Sequence, residues 1–430
     1  MAIRNAMGAT GARVIRQLLA ENVGLAGLGG LAGLLVAYGG VALLQLMNPE
    51  WLPRLDNVAV NGTVFLFTGA ASLLAGLLFS AAPALLASRS AFGLSLTGRA
   101  GTETGQRGRR IRDVLVVAEV GVALILMVGA GLLARSFVTL VQVDIGFEPT
   151  RTLTAELEVP ATRYANDEDR LTLYRTLLEQ AAAIPGTEAV ALTSDLPLGG
   201  LMTTRLEIQG RPQPRAEHPE LAFQRIGGDY FQAMGISLLE GRPFAREETN
   251  RESPPAIVNQ AAARIMWAKT DVLNEQFRWS GASDSSPWFQ VVGIVGDVRH
   301  QGPDKQPTPK VYFPLEADVP GGAWLVARTP GAPENSASSL KDAVRRVDPS
   351  IVVGSVQPMN VFVSNSLNLP RFNMLVIGGF ALLALLLAVI GIYGIISYSV
   401  AERTHELGVR MALGAGGGSL LGLVLARGLL

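Results

Sequence analysis

The chain has 430 residues, of which 49% are hydrophobic and only 17% charged, a balance too apolar for an ordinary soluble protein and one that calls for membrane spans. Its 36 basic and 36 acidic side chains cancel, so no net basic field argues for nucleic acid as a partner. The absence of cysteine excludes disulfides, thiolate nucleophiles and thiolate-bound metals together.

In chain order, residues 1–21 carry Arg4, Arg13 and Arg16 and read as a basic amphipathic helix. Residues 22–46 then run without a basic or acidic side chain, long enough at about 1.5 Å per residue to cross a hydrocarbon core of about 30 Å. A signal peptide also begins basic and continues apolar, but its apolar core is shorter than this run. A short loop, 47–62, with Pro49, Trp51, Pro53 and Asp56, leads to a second span at 63–88. Trp51 suits a membrane interface, Gly69 and Gly76 suit close helix approach, and Pro83 predicts a kink or an end to the span.

Residues 89–112 read as a flexible linker in which Arg89, Arg99, Arg107, Arg109, Arg110 and Arg112 face a single acid, Glu103. Short arginine-rich loops stay cytoplasmic. The third span, 113–134, contains Glu119. An ionisable group at mid-bilayer costs about 3 kcal/mol or more, which makes Glu119 a candidate functional residue. Its closeness to Arg112 and Asp113 also allows an interfacial position, or a pairing with a neighbouring helix.

From 135 to 369 the character changes to that of a water-soluble domain with Pro-, Gly- and Asp-rich turns. Alternating or β-branched runs predict strands at 152–159, 189–193, 205–209, 221–226, 256–258, 290–295, 310–313, 324–328 and 352–356. Apolar periodicity predicts helices at 168–183, 260–267 and 337–347. Strand, helix, strand occurs near the start and again near the end, which suggests two small α+β units with irregular material at 200–286 inserted between them.

A fourth span at 372–400 precedes a charged segment, 401–416. Within it Glu406 stands four residues before Arg410, and Arg403 three before Glu406, spacings at which opposite charges meet on a helix face. A solvated loop has the same charge pattern, but this segment recurs. Ile3-Arg4-Asn5-Ala6-Met7-Gly8-Ala9 aligns with Val409-Arg410-Met411-Ala412-Leu413-Gly414-Ala415, and each copy leads into an apolar run. The last run, 417–430, falls short of the about 20 residues a spanning helix needs. The chain therefore reads as a fragment that begins inside one repeat and ends inside a span. Starting inside, the spans leave residues 1–21, 89–112 and 401–416 cytoplasmic and 135–369 outside.

No catalytic constellation is visible. His218, His300 and His405 stand apart from one another, without the spacing of a metal site, and no G-x-x-x-x-G-K-[ST] phosphate loop occurs. No cofactor is called for. Acidic runs such as Asp167-Glu168-Asp169 fall at helix starts, where they complement the helix dipole.

Three stretches resemble the MacB/FtsX-type ABC transporter permeases, in particular the tandem-duplicated bacterial ones. These are Glu402-Arg403-x-x-Glu406-Leu407-Gly408-Val409-Arg410-x-Ala412-Leu413-Gly414-Ala415, the run from Val117 to Phe147 that contains Glu119-Val120 and Val143-Asp144-x-Gly146-Phe147, and Arg4-x-Ala6-Met7-Gly8-Ala9. The resemblance implies an α-helical membrane protein with FtsX-like spans and a large extracytoplasmic α+β domain of the MacB periplasmic type. Residues 1–21 and 401–416 would be the cytoplasmic coupling segments of copies one and two. The second copy departs from the first in having Ser419 and Gly422 where the first has Arg13 and Arg16.

The same resemblance implies a bacterial inner-membrane, multi-pass permease, dimeric or pseudo-dimeric, with a separate ABC ATPase subunit, the lipid bilayer and a periplasmic protein as partners. In that reading the chain is not itself an enzyme. Glu402, Arg403, Glu406, Leu407, Gly408, Arg410, Ala412 and Gly414, with Arg4, Ala6 and Gly8, would meet the ATPase, and ATP-driven motion would reach the outer domain for efflux or export. The alternative with the same topology is a membrane-anchored regulator or sensor that acts on periplasmic partners without transport.

Overall fold

A computed structural model describes residues 11–47, 61–91, 101–245, 253–283, 286–402, 404, 409 and 411–413. Its helices are α1 (Gly11–Met47), α2 (Gly62–Ala91), α3 (Gly101–Gln142), α4 (Asp167–Ala182), α5 (Tyr230–Met234), α6 (Gln260–Trp267), α7 (Ala337–Val347) and α8 (Met359–Glu402). Its strands are β1 (Thr152–Glu158), β2 (Ala189–Thr193), β3 (Met202–Ile208), β4 (Glu220–Gly228), β5 (Leu238–Gly241), β6 (Pro255–Asn259), β7 (Gln276–Trp279), β8 (Phe289–Val295), β9 (Lys310–Pro314), β10 (Gly322–Arg328) and β11 (Val352–Pro358). The chain divides into two compact units, Leu133–Asn373 and the remainder on either side of it.

Three helical stretches among the described residues are long and apolar enough to cross a membrane: Ala20–Ala42, Val116–Gln142 and Met359–Ser397. Gly62–Leu77 is a shorter apolar stretch. Leu35, Leu66, Ile125 and Leu387 stand exposed on these helices, a pattern that water penalises and a hydrocarbon solvent does not. Helices α1 and α2 pack through their small residues. A Cβ at Gly30 would lie 2.6 Å from the Ser72 hydroxyl, and one at Gly76 would lie 2.9 Å from the Ala26 methyl.

One expectation narrows here and another changes. Of the kink or end expected at Pro83, the end does not occur, since the helix continues to Ala91; in membrane helices local backbone adjustment and neighbouring groups can satisfy the carbonyl that a proline frees. Nor is the described part of the arginine-rich linker flexible coil. Residues 101–112 form the first turns of α3, because adding residues to an existing helix is far easier than nucleating one.

In the unit Leu133–Asn373 the alternation along β1 sends Leu153, Ala155 and Leu157 to one face, where they meet Tyr174 and Leu177 of α4 and Leu340 and Val344 of α7. Helix α4 begins at Asn166, whose side-chain oxygen accepts the Asp169 N–H at 2.8 Å, with three acids in its first turn. Four strands here run in the order β11-β1-β10-β2, all neighbours antiparallel. The two strand–helix–strand segments therefore interleave into one split β-α-β sheet. There are two α+β regions, but both of these segments belong to the same one.

The other region takes in the inserted stretch together with β8 and β9, and it is regular. β4 pairs with β3 and runs parallel to β9, and β3-β7-β8-β6-β9 completes a closed six-stranded ring. Leu206, Val258, Met266, Phe277, Phe289 and Phe313 pack in its core. The end of β4, Ile226–Gly228, leaves the ring and pairs with β2. One strand thus carries the sheet from one region to the other. A separate apolar cluster, which includes Phe147, Ile226, Tyr230, Phe231, Tyr312 and Met359, lies where they meet.

Candidate functional site

Helix α8 reaches Glu402, the first residue of the expected coupling set. The hydroxyl of Thr404 donates to the carbonyls of Val400 and Ala401 at 3.1 and 3.0 Å, and the Leu413 N–H donates to the Val409 carbonyl at 3.0 Å, the i to i−4 bond of an α-helix. Ala412 is helical and exposed. Val409, Met411 and Leu413 are 48%, 59% and 82% exposed, which leaves apolar side chains uncovered on this segment. Arg403, Glu406, Leu407, Gly408, Arg410 and Gly414, and Arg4, Ala6 and Gly8, lie outside the described residues.

Glu119 is half-buried on α3, and its carboxyl lies against Gly391 of α8. Farther along the chain, the Val143-Asp144-x-Gly146-Phe147 stretch ties the end of α3 to the outer domain. Asp144 accepts the Gly146 N–H at 2.9 Å, Phe147 is buried, and Arg299 donates its N–H to the Ile145 carbonyl at 3.1 Å. Gly146 has φ +82°, and a Cβ there would collide with the Asp297 carbonyl.

Sequence reasoning missed a buried polar cluster at the junction of the two sheet regions. Lys310 on β9 is fully buried, its Nζ 3.0 Å from the Asp195 carboxylate and 3.3 Å from His300 Nδ1. Gln224 on β4 donates to Thr193 Oγ1, to the Asp195 carbonyl and to the Tyr230 hydroxyl at 2.6, 2.7 and 2.9 Å. Asn259 accepts the Lys310 and Ala262 N–H groups at 2.9 Å each and donates to the Thr308 carbonyl at 2.8 Å. His300 Nε2, the Tyr312 hydroxyl and Gln224 Oε1 are buried without a hydrogen-bond partner.

Burial pushes the Lys310 ammonium down to about 8 against the opposing pull of Asp195. Burial, and then the charge of Lys310, holds His300 well below the usual imidazole range. Burial raises the Tyr230 and Tyr312 phenols. The cluster is enclosed, with Lys310, Gln224 and Asn259 fully buried. Its chemistry is that of a clasp, which fixes the chain after β2 and the β8–β9 connection to β9. Asp195, His300 and Lys310 are far apart in sequence and form no motif, so only the fold brings them together.

The remaining histidine within the described domain is also structural: His218 meets Ser280 Oγ at 2.8 Å and the Gln213 carbonyl at 3.1 Å. Among the described residues no group of three His, Asp or Glu side chains could hold a metal ion. An open groove of about 470 Å³ beside α4 is lined by Tyr174, Arg175, Glu188, Asp229 and Glu316. Arg175 and Glu316 pair across it at 3.7 Å, and Glu188 pairs with Arg151.

Residues 115–355 match the family model of the MacB-like periplasmic core domain. The macrolide export ATP-binding/permease protein MacB of Aggregatibacter actinomycetemcomitans is 23% identical over 201 residues, which cover 44% of this chain and 30% of that protein. MacB of Escherichia coli K12 is 26% identical over 209 residues, covering 44% and 30%. YvrN, an ABC transporter permease of Bacillus subtilis strain 168, is 23% identical over 204 residues, covering 44% and 49%. The match thus spans less than half the length of each of these relatives. Among solved structures, the periplasmic region of MacB from Actinobacillus actinomycetemcomitans aligns with 54% of this chain and 98% of its own at 13% identity and a TM-score of 0.35. The extracellular domain of the transporter YknZ aligns with 47% and 100% at 15% identity and a TM-score of 0.31. Scores this low support no argument about individual residues. The family match rests instead on the model for residues 115–355, which takes in most of α3 and the chain from β1 into β11, more than half of the sequence. On that ground the chain belongs to the MacB/FtsX-type ABC transporter permeases.

Proposed function

We propose that this chain is the permease subunit of an ABC transporter and passes the motion of a separate cytoplasmic ATPase to its domain at 133–373, for export or efflux. The observation that carries the reading is the continuity of α8. The helix starts at Met359, whose side chain is fully buried in the outer domain, and runs unbroken for 44 residues to Glu402, at the edge of the charged segment. At about 1.5 Å per residue such a helix is about 66 Å long, enough to cross a bilayer core of about 30 Å with turns to spare on both sides. Relatives named for macrolide export support a role in export.

On this reading the protein is a multi-pass inner-membrane protein with the 133–373 domain in the periplasm, and ATP hydrolysis belongs to the partner. Glu402, Arg403, Glu406, Leu407, Gly408, Arg410, Ala412 and Gly414 meet that ATPase, together with Arg4, Ala6 and Gly8. The charge reversals Glu406→Arg and Arg410→Glu, made singly, are expected to abolish co-purification with the ATPase and stimulation of its activity while leaving membrane insertion intact. Unchanged co-purification and stimulation in both variants would contradict the proposal.

A further inference from the structure

Helices α3 and α8 are the two that enter and leave the 133–373 domain, and one glycine of α8 differs from its neighbours in lying against α3. Helix α8 carries Gly378, Gly379, Gly391 and Gly394. A Cβ added at Gly378, Gly379 or Gly394 would meet nothing within 4 Å. At Gly391 it would lie 2.7 Å from Glu119 Oε2 and 3.6 Å from both Glu119 Cδ and Val116 Cγ2. The occupied notch therefore holds the carboxyl of α3's candidate intramembrane acid.

The surroundings favour a defined contact over a chance one. Val116, Glu119 and Ala123 share one face of α3 by their spacing of three and four, and Ala123 is buried on a helix whose other apolar residues are mostly exposed. On α8, Ala381, Ala388 and Gly391 likewise share a face, and both alanines are buried. A carboxyl in hydrocarbon has few polar groups to turn to, and a glycine brings the backbone of the neighbouring helix within its reach. An alanine there would oblige the carboxyl to move.

We infer that Glu119 is a positioning residue whose carboxyl, seated in the notch at Gly391, sets the register between α3 and α8. This rests on the reading of those two helices as the path of motion. Fixed in register, the pair moves as one; released, each helix slides separately and motion at the charged segment is dissipated before it reaches the outer domain.

The test has two arms. The chain lacks cysteine, so disulfide trapping in native membranes needs no background substitutions. Val116→Cys with Gly391→Cys should oxidise readily, and the control Val116→Cys with Gly378→Cys should not. Equal yields, or no bond in the first pair, would refute the contact without reference to any ATPase. The second arm is a double-mutant cycle on stimulated ATPase activity, with the amount of inserted protein measured in parallel. Glu119→Ala and Gly391→Ala should each lower stimulation several-fold, Glu119→Gln should retain it, and the double variant should be no worse than the poorer single one. Additive losses, or a Glu119→Gln variant as poor as Glu119→Ala, would overturn the positioning role. If Arg410→Glu uncouples the ATPase while these variants do not, only this inference fails; if Arg410→Glu has no effect, the proposed function fails first.

Discussion

Lys310 shows most plainly what a buried charge does in this domain. Its ammonium is removed from water and held by one carboxylate, a pairing whose desolvation cost rivals its attraction. Removing one partner is far worse than keeping both. Lys310→Met should destabilise the outer domain by about 3–5 kcal/mol, because Asp195 is left buried and unpaired. The same groups set a pH dependence. His300 is neutral in the folded state and titrates there well below its ordinary 6.5, so the unfolded chain binds more protons once pH falls below that value. The share of stability that depends on a neutral His300 should therefore be intact above pH 6.5 and decline as the solution is acidified. Lys310 titrates near 8 when folded and near 10.5 otherwise, so its contribution improves as pH rises between those values and its full burial cost is present below 8. Thermal unfolding of the full chain in nanodiscs from pH 4 to 7 checks the acid limb, which His300→Gln should flatten. A limb unchanged in that variant would assign it to other groups. None of this was legible in the sequence. The run 310–313 announces a strand, but nothing in it says that a lysine points into a core supplied by Asp195 and His300.

Among the elements, those with strong local signals were readable. The alternation in 152–159 and the β-branched run in 290–295 predicted strands, and Asn166 and Asn259, each ahead of a periodic run, sit at helix starts as capping residues should. The elements that escaped are the four-residue strands β5 and β7 and the five-residue helix α5. Each is too short to show a period and is held by partners distant in sequence: β7 by Leu206–Ile208 and by Phe289–Gln290, α5 by its packing under β2 and β10. That is why the inserted stretch looked irregular and proved to supply β3, β4, β6 and β7 of a closed ring. The turn after α3 was legible as a motif but not as a device. Gly146 takes a left-handed conformation with no room for a side chain, and through Ile145 and Asp144 it fastens the helix end to the connection after β8. Gly146→Ala should cost about 1–3 kcal/mol in the outer domain, more than a helix-interior Gly→Ala change, which ordinarily stabilises. Denaturant unfolding followed by tryptophan fluorescence would show it, and a neutral result would mean that the turn is not under this constraint.

At the scale of the whole chain, composition and hydrophobic runs were enough to divide membrane helices from an outer domain, because a spanning segment must be both long and apolar. The repeat between residues 3–9 and 409–415 is what led the charged segment to be read as more than a solvated loop, and its contact with an ATPase is a proposal. What composition could not reveal is how the sheet threads. The strand–helix–strand segments at the two ends of the domain interleave, and β4 belongs to both sheet regions, so the domain's start and finish, which continue into α3 and α8, are tied into one body. A body fastened to both helices is suited to being moved by them, and this is the basis of the proposed transmission. The most direct measurement is hydrogen exchange of the full chain in nanodiscs with its partner ATPase, compared with and without a non-hydrolysable nucleotide. The account predicts altered protection across residues 133–373, at the start of α8 above all, and loss of that change in Arg410→Glu. Identical exchange in the outer domain while the ATPase binds nucleotide would contradict it.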